Sequence, residues 1–161
     1  MNYERIENYI GTMWKFLIPI KHNYYIGNGD KIAICTLSSI KLLLAISNDT
    51  KLMNNIAIVG RLFSENKGID RIIQYCLANR HLAHLVVCGT EVSGHLAGDS
   101  LIALFSYGIT REGKIVNSKS PHPQLVSSFN EVQTFRNRIT IHNLIEMTDL
   151  SKIKYHVDRL I

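Results

Sequence analysis

The sequence predicts one α/β domain with a Rossmann-like, mostly parallel sheet flanked by helices. Short apolar runs of strand length, such as 31–37 and 83–88, lie between longer stretches with helical spacing. A run that is apolar at nearly every position is typical of a strand buried on both faces of a parallel sheet. Strands that alternate with helices in this way indicate β-α-β units. The chain has 161 residues and no linker rich in proline, glycine or serine, which fits a single domain.

The predicted domain covers residues 24–161, and residues 1–23 form an amphipathic lead-in that is expected to pack on it. Segment 139–145 fits either a strand or a continuation of the helix before it. The other elements are predicted in the order strand 24–26, strand 31–37, helix 38–46, strand 55–60, helix 69–77, strand 83–88, helix 97–105, strand 114–116, helix 126–138 and helix 149–160.

Local signals support these elements. The apolar residues from Ile69 to Leu77 recur at i, i+3, i+4, i+7 and i+8, which is the spacing of one helix face. The next helix has its own apolar face and ends at Gly108, a residue type that often follows a helix. Ser38 or Ser39 fits the N-cap of the first helix, and Asp149 fits that of the last.

Composition excludes several classes of protein. With 46% apolar and 19% charged residues the chain is globular, and no apolar run approaches the roughly 18 residues that span a bilayer. The net charge is +5, but the basic residues are scattered and not interleaved with aromatic ones, so nucleic acid is not an expected partner. Cys35, Cys76 and Cys88 each lie in an apolar stretch. Buried thiols indicate a reducing compartment, and the cytoplasm is the expected location.

Ligands of open parallel sheets bind beyond the carboxyl ends of the strands, where loops lead into helices. That rule selects the loops 60–68, 89–98 and 117–123. The middle loop is the most informative, because Gly89, Gly94 and Gly98 free its backbone and His95 stands just before a helix. The positive end of a helix dipole favours the neutral form of a histidine at the helix N-terminus, and neutral imidazole is the form that binds a metal.

Either Glu91 or Asp99, each four residues from His95, is spaced to accept the second ring N–H of a metal-binding histidine. A lone histidine in this position is more often a cap or a surface residue, so the pattern by itself leaves both interpretations open. The loop 60–68 has the same ambiguity, since Ser64 and Asn66 can cap a helix as well as hold a ligand. His81 and His84 lack further ligands at zinc spacing and are interpreted as structural.

Residues 89–101 (GTEVSGHLAGDSL) resemble a string in the A subunit of tetrahydromethanopterin S-methyltransferase. Residues 64–71 (SENKGIDR) resemble a second stretch of that family, and the similarity extends over about residues 24–148 in the same order. The resemblance implies a Rossmann-like domain that binds cobalamin or a related cobamide, with His95 as the lower axial ligand of cobalt. It also implies a methyl carrier between methyl-tetrahydromethanopterin and coenzyme M, whose partners are the methyltransferase proteins that donate and accept the methyl group.

Glu65 is a third candidate, beside Glu91 and Asp99, for the carboxylate that accepts a hydrogen bond from the ring N–H of His95 that faces away from the cobalt. The residues expected to contact the cofactor lie in all three loops. They are Gly60, Arg61, Leu62, Phe63, Ser64, Glu65, Asn66, Gly89, Thr90, Glu91, Gly94, His95, Leu96, Gly98, Ser100, Pro121 and Pro123.

The chain departs from the family pattern in three places. The family's protein ends in a transmembrane helix and this sequence stops at Ile161, so a homologue without a membrane anchor is expected. Residues 117–123 (NSKSPHP) keep little of the family's loop beyond one proline, and residues 61–63 (RLF) are bulkier. These differences keep open a regulatory or assembly protein that retained the fold without methyl transfer. A zinc enzyme centred on the histidine is a third hypothesis.

Overall fold

In the computed structural model, which describes residues 23–161, five strands form a sheet with helices on both faces. The predicted α/β class is confirmed, while the lead-in falls almost entirely outside the described residues. The strands are β1 (Tyr24–Ile26), β2 (Ile32–Cys35), β3 (Ile58–Gly60), β4 (His84–Gly89) and β5 (Thr140–Ile145), and the helices are α1 (Ile40–Ser47), α2 (Thr50–Asn55), α3 (Lys67–Ala78), α4 (Ala97–Tyr107), α5 (Phe129–Arg138) and α6 (Leu150–Asp158).

The strands lie in the order β1-β3-β2-β4-β5. Only β1 runs antiparallel, against β3, and the other neighbouring pairs are parallel. Cys35 at the end of β2 lies opposite Gly60 at the end of β3, and Gly89 at the end of β4 lies opposite Ile145 at the end of β5. The carboxyl ends of the four parallel strands therefore share one edge, where the predicted ligand loops begin.

Alternate residues of the central strands pack into two separate cores. Ala33 and Val87 face a core completed by α3, α4 and α5, whereas Ile34 and Val86 face a core completed by α1, α2 and α6. All three cysteines are buried and unpaired. Burial raises the pKa of the Cys35 and Cys76 thiols to about 12, so they stay protonated and behave as small apolar side chains.

The sequence misplaced some element boundaries. Lys114 to Val116 is not a strand of the sheet, because positive φ angles at Gly113 and Asn117 turn the chain on both sides and leave only isolated bridges. Helix α2 was not predicted, although Asp49 caps it by accepting a hydrogen bond from the Leu52 N–H at 2.9 Å. The ambiguous segment 139–145 is a strand from Thr140 onward. No helix described within residues 23–161 is long and apolar enough to cross a membrane.

Three histidines connect α6 to the sheet at the end opposite the ligand loops. His84 Nδ1 lies 3.1 Å from His142 Nε2, and His142 Nδ1 lies 3.0 Å from His156 Nε2. The chain of hydrogen bonds is complete when all three rings are neutral, because each neutral ring has one donor and one acceptor. Burial lowers the pKa of His142, and the neighbouring His156 and His84 lower it further.

This arrangement predicts that stability falls as the pH drops below about 6.5, the ordinary histidine pKa. The unfolded chain takes up a proton there while folded His142 stays neutral, and the slope stays under the one-proton limit of about 1.4 kcal/mol per pH unit. Urea unfolding at pH 7.5, 6.5 and 5.5 measures this, with His142→Gln expected to flatten the dependence and the exposed His81→Gln expected to leave it unchanged. An equally steep dependence in His142→Gln would contradict the assignment.

Candidate functional site

The three loops selected from the sequence meet at the side chain of Glu65. This residue lies in the loop 60–68, between β3 and α3. Its Oε2 lies 3.0 Å from Nδ1 of His95, in the loop 89–98. Its Oε1 accepts a hydrogen bond of 3.0 Å from the backbone N–H of His122, in the loop 117–123. One buried carboxylate therefore joins all three loops at the carboxyl edge of the sheet.

His95 is exposed although its partner is buried. Its side chain is 54% exposed, whereas that of Glu65 is 2% exposed. An ionised carboxylate only accepts hydrogen bonds, so Nδ1 of His95 carries the proton in this contact. In the neutral ring the lone pair then lies on Nε2, and no hydrogen bond occupies Nε2 among residues 23–161. The arrangement presents a basic nitrogen atom at the surface, with its ring oriented from behind.

Glu65 is held as a carboxylate by its hydrogen bonds. Burial alone raises the pKa of this side chain, because the charged form loses its hydration. The hydrogen bonds from the backbone N–H of Glu65 itself, from His95 and from the His122 N–H outweigh burial and hold the pKa below its ordinary value. Glu65 is thus a buried, charged acceptor at neutral pH.

Glu91 does not contact His95 but stabilises the start of α4. Its carboxylate accepts hydrogen bonds from the backbone N–H groups of Val92 at 2.7 Å, Gly98 at 2.9 Å and Asp99 at 2.8 Å. Leu96 at the N-cap has a left-handed backbone and no side chain that caps the helix. Glu91, five residues earlier in the chain, accepts the hydrogen bonds of the free N–H groups in its place. Asp99 accepts from the Lys119 N–H instead. Of the three candidate carboxylates, only Glu65 lies behind His95.

We expect Glu91→Ala to destabilise the protein by about 2–3 kcal/mol, since it leaves the Gly98 and Asp99 N–H groups at the start of α4 and the Val92 N–H in the loop before it without an acceptor. The free energy of unfolding in urea measures this loss. Glu112→Ala is a suitable control, because Glu112 is exposed and lies in the turn after α4. A loss under about 0.5 kcal/mol in Glu91→Ala would contradict the capping role.

Two glycines of the loop 89–98 serve different purposes. A Cβ atom on Gly98 would come within 2.7 Å of the Glu91 carboxylate, so the close packing of the protein itself requires this glycine. Gly94 has φ +78° and a Cβ atom there would meet nothing within 4 Å, so the space beside it is open. The loop is therefore open at Gly94, the residue before His95, and closely packed at Gly98.

Serine hydroxyls fasten the loop 117–123 to the first turn of α4. Ser100 Oγ lies 2.7 Å from Ser118 Oγ and also contacts Ser120 Oγ. Ser120 Oγ in turn donates a hydrogen bond of 3.1 Å to the carbonyl of Leu96. Together with the bond from the Lys119 N–H to Asp99, these contacts hold the loop against the residues that follow His95. The loop 117–123 is thus held both by the start of α4 and by Glu65, which accepts the hydrogen bond from the His122 N–H.

The predicted cofactor residues lie at different depths. Five are exposed at the carboxyl edge, namely Phe63, Thr90, Gly94, His95 and Pro121. Gly60, Arg61, Ser64, Asn66, Glu91 and Leu96 are half-buried. Leu62, Glu65, Gly89, Gly98, Ser100 and Pro123 are buried, so they shape the loops from within.

Sequence reasoning missed several residues that build the site. Ser38 and Ser39 were assigned only a capping role, yet Ser38 Oγ donates to the carbonyl of Thr90 at 2.7 Å and Ser39 Oγ accepts from the Thr90 N–H at 2.8 Å. His122 contributes its backbone N–H rather than its side chain. Within residues 23–161 no three His, Cys, Asp or Glu side chains converge as metal ligands, which leaves the zinc hypothesis without a ligand set.

Comparison with known proteins identifies a family. The family model that describes the A subunit of tetrahydromethanopterin S-methyltransferase matches residues 13–161. The chain is 33% identical over 142 residues to a Methanosarcina acetivorans protein, which is named as the A subunit of "Putative methyltransferase Mtx". This match covers 87% of this chain and 68% of the relative.

Two further relatives bear the family's own name. The chain is 30% identical over 142 residues to the A subunit of tetrahydromethanopterin S-methyltransferase from Methanosphaera stadtmanae, a match that covers 86% of this chain and 55% of the relative. It is 29% identical over 138 residues to the A 2 subunit from Methanothermobacter marburgensis, a match that covers 84% of this chain and 71% of the relative. The chain therefore spans between about half and about seven tenths of the length of these relatives. The resemblance seen in the sequence is confirmed: the chain belongs to the family of the A subunit of tetrahydromethanopterin S-methyltransferase.

Proposed function

We propose that this protein binds a cobalt corrinoid, cobalamin or a related cobamide, with Nε2 of His95 as the lower axial ligand. The contact between His95 Nδ1 and the buried Glu65 carboxylate carries this proposal. Histidines that bind metals commonly donate their second ring N–H to a carboxylate, which fixes the tautomer and makes the ligating nitrogen more basic.

The surroundings of His95 fit a large, flat ligand with a single protein donor. No group of three or more metal-binding side chains of the described residues surrounds His95, and a corrinoid needs only one because its ring supplies four nitrogen atoms. The side chain is exposed and the space beside Gly94 is open, so a broad ring can approach Nε2. A small, enclosed metal cage would require several protein donors instead.

The residues of the chain would orient the ligand and tune it. When bound, a cobalt corrinoid supplies the chemistry of accepting and releasing a methyl group. Glu65 keeps the proton on His95 Nδ1, and strengthens Nε2 as a donor. The other Glu65 oxygen accepts a hydrogen bond from the His122 N–H. The position of the loop 117–123 would therefore affect how strongly Nε2 of His95 donates its lone pair to the metal.

Membership of the family supports a role in methyl transfer, and we propose a methyl carrier in the cytoplasm rather than a complete enzyme. The names of the relatives point to tetrahydromethanopterin as the carrier of the incoming methyl group. Coenzyme M is the proposed acceptor, and separate methyltransferase proteins are the proposed partners. The relatives are named as parts of multi-subunit methyltransferases, which supports such an assembly.

A visible absorption titration of the purified protein with aquocobalamin tests the proposal. We expect a saturable change at one equivalent, with the spectrum of a corrinoid whose own base has been replaced by histidine. A flat titration would contradict it. Corrinoid binding without methyl exchange in the presence of partner methyltransferases would instead support the regulatory alternative, and turnover would exclude that alternative.

A further inference from the structure

A cavity of about 600 Å³ lies between the β1 edge of the sheet and α3. This volume is typical of a small-molecule site. Its walls include the aromatic rings of Phe63 and Tyr75 and the apolar side chain of Ile72. Ser64 also lines it, and the next residue, Glu65, contacts His95. The cavity and the His95 site therefore share the loop 60–68.

Three cations surround this apolar space. Arg61, Lys67 and Arg71 all line the cavity, and none of them forms a salt bridge with a carboxylate of residues 23–161. Lys67 is also the first residue of α3, where the helix end adds partial positive charge. A cluster of cations at the wall of a cavity, without counter-ions nearby, favours the binding of an anion there.

Arg61 is half-buried at the wall of the cavity and is held there by its neighbours. Its Nη2 donates to the carbonyl of Ser38 at 3.1 Å, and its guanidinium carbon lies 3.9 Å from the centre of the Phe63 ring. Its Nε is buried and has no hydrogen-bond partner among the described residues. Burial lowers the pKa of Arg61 to about 10, because the charged guanidinium loses part of its hydration. Arg61 thus places a fixed, partly desolvated positive charge at the wall of the cavity.

We infer that this cavity binds a phosphate group attached to a flat heteroaromatic ring, with the phosphate near Arg61, Lys67 and Arg71 and the ring among the apolar walls. Two sources offer this chemistry: the nucleotide tail of a cobamide held at His95, or a free mononucleotide. The first source rests on the proposed function and is favoured by the shared loop, and the second does not depend on it.

Matched probes and variants separate these sources. The full chain is titrated with aquocobalamin, with diaquocobinamide, which lacks the phosphate, ribose and base, and with adenosine 5′-monophosphate. Lys67→Gln and Arg71→Gln remove single charges from the cavity, and Arg80→Gln removes one beyond the other end of α3. Arg61 is left intact, because its contacts with Ser38 and Phe63 also support the fold.

If the tail occupies the cavity, aquocobalamin binds at least about tenfold more tightly than diaquocobinamide. Lys67→Gln and Arg71→Gln each then remove about tenfold of that preference, the effect of one charge-assisted hydrogen bond, while Arg80→Gln leaves it unchanged. If a free nucleotide is the occupant, the two corrinoids bind equally and the two cavity variants weaken adenosine monophosphate binding.

The inference is overturned if the corrinoids bind equally and adenosine monophosphate does not bind. It is also overturned if the two cavity variants behave like Arg80→Gln with every probe. Failure of the proposed function gives a different result, because then neither corrinoid binds. In that case the titration with adenosine monophosphate alone decides whether the cavity binds a phosphate group.

Discussion

Replacing His95 with alanine is expected to weaken aquocobalamin binding by at least about 100-fold and to abolish the spectrum of a histidine-ligated corrinoid. The side chain supplies the proposed ligand nitrogen, and its ring is oriented by Glu65. Changes to residues that only support a metal ligand already cost roughly 10- to 100-fold in affinity, so loss of the ligand itself should cost more. Visible absorption titration measures both the affinity and the ligation state.

Two comparisons make this result specific. His81→Ala removes an exposed histidine at the opposite end of the sheet and should bind aquocobalamin like the unaltered protein. His95→Ala should keep its fold, because its side chain is more than half exposed and its removal creates no cavity, and the loss of one hydrogen bond to the buried Glu65 should cost about 1–3 kcal/mol. An unchanged spectrum in a folded His95→Ala variant would eliminate this residue as the ligand.

Glu65→Gln is expected to weaken corrinoid binding by about 10- to 100-fold while keeping the fold. The amide oxygen can still accept from the His122 N–H, but the amide nitrogen then faces Nδ1 of His95. An amide N–H donates where the carboxylate accepted, so Nδ1 must lose its proton and the proton moves to Nε2. A protonated Nε2 has no lone pair for a metal.

The spectrum separates this mechanism from a general loss of structure. Glu65→Gln should shift the bound corrinoid away from histidine ligation at saturating protein, which a merely structural change would not do. Asp99→Asn is the matched control, since it alters a carboxylate that bonds the Lys119 N–H rather than His95. Glu65→Gln with an unchanged affinity and spectrum would show that the carboxylate does not set the tautomer.

The sequence was sufficient for the class of fold because its strongest signals are local. The segments around β2 and β4 are apolar at almost every position, and α3 has a regular apolar face. Helix α2 escaped notice because its six residues are too short for a periodic pattern. The segment 114–116 has the composition of a strand but lies between two turns, and the turn geometry outweighed its β propensity.

The site was only partly predictable, because the decisive contacts join residues far apart in the chain. Spacing placed Glu91 and Asp99 near His95, but both carboxylates bond to backbone N–H groups instead. Glu65 lies thirty residues before His95, and only the parallel arrangement of β3 and β4 with β2 between them brings the two loops together. No local pattern predicts that the His122 backbone completes the pair.

The central claim is that the imidazole of His95 coordinates cobalt, and electron paramagnetic resonance of the protein loaded with unlabelled cob(II)alamin tests it most directly. The unpaired electron couples to the axial nitrogen, so each cobalt line is split into a triplet by ¹⁴N and into a doublet by ¹⁵N. We predict a triplet that becomes a doublet when the protein is labelled with ¹⁵N-histidine. In labelled His95→Ala this doublet should be absent. A triplet that survives the labelling would show that the nitrogen comes from the corrinoid's own base, and would contradict the account.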